Sequence, residues 1–312
     1  MAPVISYSYL LTWHLILWKR LNCEPAHKQV LYANLRMADN SYIDVLELNE
    51  AFEEVDGRYE FSGTLIVYQV NSELHHAISK ARYSSPSQVN ADHFRNDIRI
   101  PVSAYSPLFP FDFTPAPASM PNDAFIKRPR LISYDQICKG PHPNFIAESV
   151  LKEAYICELL MEQRHPNIAS YFGCQVSSGR VTGLCFKRYK NTLMQEVNPN
   201  NLMKRTSRST RQTAKDYSNL LAGIESGIRH LHSLGLVHND INPSNIMLDG
   251  DQAVIIDFGS CRPVGESLQD VGRTYEWYDE TVEQSIPEND LRALEEIRIW
   301  LGDMSREFQF SE

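Results

Sequence analysis

The chain has no glycine between Gly63 and Gly140. Glycine lets backbone N–H groups approach a phosphate with no side chain in the way. That long stretch therefore excludes a glycine-rich phosphate cradle. Cysteine is scarce: Cys23, Cys138, Cys157, Cys174, Cys185 and Cys261, with no Cys-x-x-Cys pair among them. This argues against a zinc ribbon or a dense disulfide framework. Most of these cysteines sit in apolar runs, which points to reduced thiols in a cytoplasmic or nuclear setting. Positive charge is in deficit. A formal net charge of -9 argues against broad nucleic-acid binding. The basic cluster Lys204, Arg205, Arg208, Arg211 and Lys215 lies in Ser/Thr-rich sequence and reads as a solvated loop. No specific nucleic-acid partner is expected. Long apolar runs are also missing. Residues 4–18 are apolar and aromatic but include His14, and they fall short of the roughly 20 residues a membrane span needs. Lys19 and Arg20 come after that run, the reverse of a secretory signal. No membrane span is expected.

What remains is the composition of a globular protein, 43% hydrophobic and 22% charged, long enough for one large domain or two modest ones. Residues 1–95 carry little chemistry. A stretch at 59–70 reads as one long strand or a strand pair, and 42–54 reads as a short helix. The segment is either an accessory module packing on the neighbouring region or a poorly ordered tail. Residues 96–122 hold Pro101, Pro107, Pro110, Pro115, Pro117 and Pro121, which favours extended or irregular backbone.

The densest pattern is 236–262. Its apolar pieces, 246–248 and 253–256, read as two short strands joined by a turn at Asp249-Gly250. Asp240, Asn245 and Asp257 flank them, and a hairpin would bring these flanks to one pocket. Carboxylate and amide oxygens are what a hard cation takes as ligands.

This stretch resembles the catalytic core of the protein kinases. His238-Asn239-Asp240 stands where the family has His-Arg-Asp, Asn245 comes at the family spacing, and Asp257-Phe258-Gly259 matches Asp-Phe-Gly. The resemblance implies that Asp240 accepts the substrate hydroxyl proton, while Asn245 and Asp257 hold Mg²⁺ on the phosphates of ATP. Ala124-Phe125-Ile126-Lys127 resembles the family's third strand, whose Lys pairs with the α/β-phosphates. A helix at 147–163 presents Glu153, with Ile156, Cys157 and Leu160 after it at helical spacing, as the ion-pair partner of Lys127. Glu148 and Glu158 are rivals for that role. His165-Pro166-Asn167-Ile168 is a phrase common after this helix in the family. The resemblance covers about 120–300 and implies an α+β, bilobal protein-kinase-like fold with a small β-rich N-lobe and a truncated, mainly helical C-lobe. The domains are then 1–95 accessory, 96–186 N-lobe and 187–312 C-lobe, ending after the helix the family calls F. Strands are expected at 168–172 and 180–186, a hinge at 187–191, and helices at 193–201, 217–234 and 288–308. Gly235 would stop the second of these helices. On the final helix Arg292, Glu295, Glu296, Asp303, Arg306 and Glu307 form a charged face, while Asp290 falls in the apolar arc and needs partners. In the family such an Asp ties to the catalytic-loop backbone.

Several positions depart from the family. The glycine-rich loop is missing. Asn239 replaces the Arg that reads a phosphate on the activation segment, with Arg262 and Arg273 as possible substitutes that no motif places. Asn242 replaces a Lys that contacts the γ-phosphate. Gly272-Arg273-Thr274-Tyr275 resembles the family's Gly-Thr step, and Glu280 falls where Ala-Pro-Glu ends, without the Ala and Pro. The phrases around Asp240 and Asp257 resemble divergent kinase-like proteins of filamentous fungi. The expected function is an ATP- and Mg²⁺-dependent, Ser/Thr-directed protein phosphotransferase. The alternatives are a pseudokinase that senses nucleotide or binds a partner, and a small-molecule kinase.

Overall fold

The computed structural model describes residues 34–36, 42–210, 216–302 and 306–310. The apolar run at 4–18, Cys23, Arg211, Lys215, Asp303 and Met304 lie outside them. The first unit is a five-stranded antiparallel meander: β1 (Asn34–Arg36), β2 (Tyr42–Val55), β3 (Arg58–Val70), β4 (Glu73–Ser79) and β5 (Phe94–Ile100). The helix expected at 42–54 is therefore strand. Its Leu, Glu and Ala content favours helix, but pairing with β3 along the whole length overrides that weak preference. Ile43 and Val45 alternate into one buried face. The tight loops Asp56-Gly57 and Asn71-Ser72 have positive φ at both positions. Such primed turns match the twist of the flanking strands.

This sheet shares a core with the next segment. Val67, Ile100 and Ala104 pack with Leu131, Ile132, Tyr134 and Ile146. The carboxylate of Glu47 accepts from Leu131 N (2.8 Å) and Ile132 N (3.1 Å), and His76 Nε2 meets Ile132 O (2.9 Å). The 95/96 boundary falls inside β5.

Next in the chain is a three-stranded sheet, ordered β6 (Ala124–Lys127), β8 (Arg180–Lys187), β7 (Tyr171–Ser177). The strand expected at 168–172 starts later, at Tyr171, because Ile168 and Ala169 instead align with Ile255. After α1 (Tyr134–Ile137), the long helix α2 (Phe145–Glu162) packs on this sheet. The C-terminal lobe holds β9 (Asn191–Thr192), α3 (Leu193–Val197), α4 (Lys204–Thr210), α5 (Ser218–Ser233), β10 (Leu236–Val237), the hairpin β11 (Ile246–Asp249) and β12 (Gln252–Ile255), β13 (Arg262–Pro263) and α6 (Pro287–Leu301). One core runs through both lobes, from Cys157 and Leu184 through Ile224, Ile228 and Ile255 to Ile297 and Trp300. The architecture is α+β and bilobal, a β-rich lobe over a mainly helical one. Among the described residues no helix is long and apolar enough to cross a membrane.

The last helix ends earlier than its apolar period suggests. Gly302, at φ 138°, caps it, and Phe308 and Phe310 pack back as non-helical chain. Glu296 is not on an exposed face. It is fully buried with Lys204, Nζ to Oε2 2.6 Å, and Lys204 Nζ also donates to Glu276 O (2.6 Å). Trp277, Phe308 and Phe310 surround the ammonium. The solvated loop expected there is, at Lys204, a buried cation in a helix.

Candidate active site

The loop between β10 and β11 is hung from α6. Pairing of β10 with β13 brings it beside the segment after Asp257. Asp290 is fully buried, and its carboxylate accepts from His238 N (2.8 Å), Asn239 N (2.8 Å) and His232 Nε2 (2.9 Å). A buried carboxylate needs such partners. His238 reaches across to Ile256 O (3.1 Å) and packs against the Phe258 ring. Asn239 has φ 62°, a region that Asn tolerates better than most residues. Its Nδ2 donates to Val237 O, Ser260 O and Ser285 Oγ, and its Oδ1 accepts from Asn289 Nδ2. Of the two candidate substitutes, Arg273 lines a pocket with Asn239, while Arg262 turns to its own loop. Arg262 donates to Gly259 O and Cys261 O, and Arg273 donates to Asp279 O and covers the Tyr278 ring.

Asp240 is buried with both oxygens engaged. Oδ1 accepts from Thr274 N (2.6 Å) and Oδ2 from Asn245 Nδ2 (3.0 Å). Asn242 caps the Pro243–Asn245 turn through Ser244 N and donates to Asp240 O and Thr274 Oγ1, both at 3.0 Å. Asn245 turns its amide nitrogen to Asp240, which leaves the amide oxygen as its donor to a cation. The backbone bond from Ile256 N to Asn245 O (3.0 Å) sets Asn245 beside the Asp257 segment.

Asp257 sits at φ 64° and accepts from Gly259 N. Lys127 Nζ lies 2.6 and 2.8 Å from the two oxygens of Glu153 and 2.9 Å from Asp257 Oδ1. Phe258 N donates to Glu153 Oε1 (3.2 Å). Strand, helix and loop thus meet at one ammonium. Burial works against the charge on Lys127, but Asp257 and Glu153 outweigh it and hold the pKa above the ordinary lysine value. Burial pushes the Glu153 carboxyl up, against the pull of Lys127. Of the three glutamates on α2 that were candidates for the role, Glu153 meets Lys127. Glu148 is exposed, and Glu158 bonds Thr114 and Tyr171.

Above this cluster lies an open cleft between the lobes, lined by Phe125, Ala169, Phe186, Tyr189, Met247 and Ile256 along with Lys127 and Asp257. Motif spacing does not name these apolar residues. The usable signal was their neighbourhood, since Phe125 stands in the strand that ends at Lys127 and Ile256 precedes Asp257. The Asp257 carboxylate is 46% exposed, and with the Asn245 oxygen it is a hard-oxygen set that fits Mg²⁺.

Residues 135–284 match the protein kinase domain model. Over that stretch, just under half of the chain, it is similar to the protein kinases. It is 47% identical over 49 residues, 16% of its length, to the probable serine/threonine-protein kinase PkwA of Thermomonospora curvata. It is 29% identical over 115 residues, 35% of its length, to the serine/threonine-protein kinase/endoribonuclease IRE1 of Hypocrea jecorina. With a putative mitogen-activated protein kinase 14C of Drosophila melanogaster it shares 37% over 75 residues, 24% of its length. The matches span 7%, 9% and 21% of those relatives' lengths. A chain of the yeast RNA Pol II CTD kinase CTDK-1 complex aligns with 53% of each chain at 19% identity and a TM-score of 0.40. Two features set this kinase-like chain apart within its cleft. Phe125 occupies the place of Ala in the family's Val-Ala-Ile-Lys strand, and among the described residues no strand pairs with the outer edge of β6. Glu280 is exposed, and the buried Lys204–Glu296 pair anchors the activation segment through Glu276 O.

Proposed function

We propose that this chain is an ATP- and Mg²⁺-dependent phosphotransferase of protein kinase type acting on a Ser or Thr hydroxyl of a protein. One observation carries the reading: Lys127 bonds both Glu153 and Asp257, while Asp240 and Asn245 stand on the loop tied by its backbone to the Asp257 segment. Mg²⁺-ATP, when bound, supplies the phosphoryl group and its charge neutralisation. Glu153 orients the Lys127 ammonium toward the phosphates. Asp257 and the Asn245 oxygen hold the cation. Asp240 takes the proton of the attacking hydroxyl, a contribution of about 10²–10⁴-fold in general. The Thr274 N–H must share or release Oδ1 for that. Relatives named as serine/threonine kinases favour the hydroxyl class.

The second reading is a nucleotide-sensing pseudokinase. It is favoured by the occupied oxygens of Asp240 and by the Phe125 side chain in the cleft. The experiment is thermal stabilisation of the purified chain by ATP with and without Mg²⁺, and then transfer of labelled γ-phosphate to a protein mixture. Stabilisation with transfer supports the first reading. Stabilisation without transfer supports the second, and no stabilisation removes both.

A further inference from the structure

Residues 106–116 form no regular strand, yet they are bound to the N-lobe at both ends, 106–109 and 114–116. Pro107 O accepts from Val181 N (2.9 Å), Phe109 N donates to Gly179 O (2.9 Å), Thr114 O accepts from Cys174 N (2.8 Å) and Ala116 N donates to Cys174 O (2.8 Å). Ser106 is doubly tied, its Oγ donating to Val181 O and its carbonyl accepting from Arg180, both at 2.7 Å. Phe109 and Phe113 pack on the main core. The approach is so close that a Cβ on Gly173, at φ 121°, would lie 2.7–2.8 Å from the backbone of Thr114, Pro115 and Ala116. Gly173 is therefore a requirement of this contact.

The strap ends on helix α2. Thr114 N donates to Glu158 Oε1 (3.0 Å) and Thr114 Oγ1 to Glu158 Oε2 (2.7 Å), and Tyr171 OH adds a third bond at 3.2 Å. Hydrogen bonds to an ionised carboxylate are the stronger kind. Glu158 lies five residues after Glu153, about 140° around the helix. The two carboxylates thus hold α2 from different sides, Glu158 on the strap and Glu153 on Lys127 and Phe258.

We infer that the strap is a built-in positioning device for α2, with Thr114 and Glu158 as positioning residues that keep Glu153 on Lys127. This deepens the proposed kinase reading, which supplies the reason that Lys127 must be oriented. The Pro residues suit the task. They preset an extended backbone, so less entropy is lost in laying the strap down.

The test is Thr114→Val, which keeps shape and the backbone N–H, with Glu158→Gln and the rescue variant Thr114→Ser. The readout is acylation of Lys127 by an amine-reactive ester, quantified by mass spectrometry, which needs no turnover. Hydrogen exchange of β2–β5 serves as the folding control. Thr114→Val and Glu158→Gln should raise Lys127 labelling by roughly tenfold, the factor that about 1.4 kcal/mol represents. Thr114→Ser should restore the parent rate, and β2–β5 exchange should not move. Where the parent transfers phosphate, kcat should fall with little change in nucleotide KM. Unchanged Lys127 labelling in both folded variants overturns the strap and leaves the kinase reading intact. Raised labelling in a chain whose parent shows no transfer keeps the strap and removes the kinase reading. If a variant loses β2–β5 protection as well, the strap is a folding element only and the inference fails.

Discussion

Asp290→Ala should unhang the loop that carries Asp240. The carboxylate is fully buried and takes two backbone N–H groups at 2.8 Å and His232 Nε2 at 2.9 Å. Truncation leaves the His238 and Asn239 amides without that acceptor, and each buried unsatisfied group costs about 1–3 kcal/mol. Water entering the vacated space would recover part of that. The expected loss is about 3–4 kcal/mol, a large share of a typical stability of about 5–15 kcal/mol. Asp290→Asn should lose about 2 kcal/mol, since an amide oxygen can keep one N–H while its own NH₂ faces the other. The assay is urea unfolding monitored by fluorescence, for which the buried Trp277–Trp300 pair against α6 is a local reporter. With a slope of about 3 kcal/mol per molar, the Asp290→Ala midpoint should drop by roughly 1 M. A drop below about 0.2 M, with the slope unchanged, would refute the claim that this carboxylate bears the loop.

Asp240→Asn should lower phosphotransfer by about 10²–10⁴-fold with Mg²⁺-ATP stabilisation nearly unchanged. Equal turnover in mutant and parent would reject Asp240 as the base. Asp257→Asn should abolish the Mg²⁺-dependent part of ATP stabilisation, and identical thermal shifts in both proteins would remove it from the metal site. His76 is fully buried, and burial first of all holds its imidazole below the ordinary value of 6.5. The unfolded chain therefore takes up a proton as pH falls through 6.5 while the folded chain resists, so this contribution is present above pH 6.5 and is lost below it. The urea midpoint should decline on acidification from pH 6.5, and less so in His76→Gln; parallel declines would discard the assignment. Phosphatase treatment should leave activity unchanged, since neutral Asn239 cannot grip a phosphate with charge. A tenfold loss, about 1.4 kcal/mol of barrier, would reveal a phosphate reader elsewhere.

Legibility in the sequence tracked the range of each interaction. Asp240, Asn245 and Asp257 stand close in the chain on a hairpin whose turn and β-branched strands are local signals, and Lys127 and Glu153 are placed by motif order. The structure joins Lys127, Glu153 and Asp257 in one cluster and Asp240 with Asn245 in another, the two linked by the bond from Ile256 N to Asn245 O. Asp290 was legible because a carboxylate in an apolar arc must be satisfied. The β2 strand was not, because its residues favour helix and only the β3 pairing decides. Lys204–Glu296 spans 92 positions, and the aromatic residues that enclose it are far from Lys204 in the chain. The long reach of the last helix was an extrapolation of period past Gly302. The strap at 106–116 read as irregular, which is true of its backbone angles and silent on what it binds.

Asn239 and Asn242 bear on how the site keeps its order without the cations the family places there. An Arg at 239 would gain its best partner only when a phosphate arrives. Asn239 instead engages four partners at once: Val237, Ser260 and Ser285 share its two amide hydrogens, and Asn289 donates to its oxygen. A full hydrogen bond is worth about 0.5–1.5 kcal/mol net, and none of these contacts depends on modification or screening by salt. Asn242 does the same on a smaller scale between Asp240 and Thr274. The exchange trades charge for permanence: the loop is held by neutral contacts in the resting chain, and under the proposed kinase reading stabilisation of developing phosphate charge would fall on Lys127 alone among these positions. That places the alignment of Lys127, through Glu153 and the far side of α2, at the centre of whatever activity the chain has.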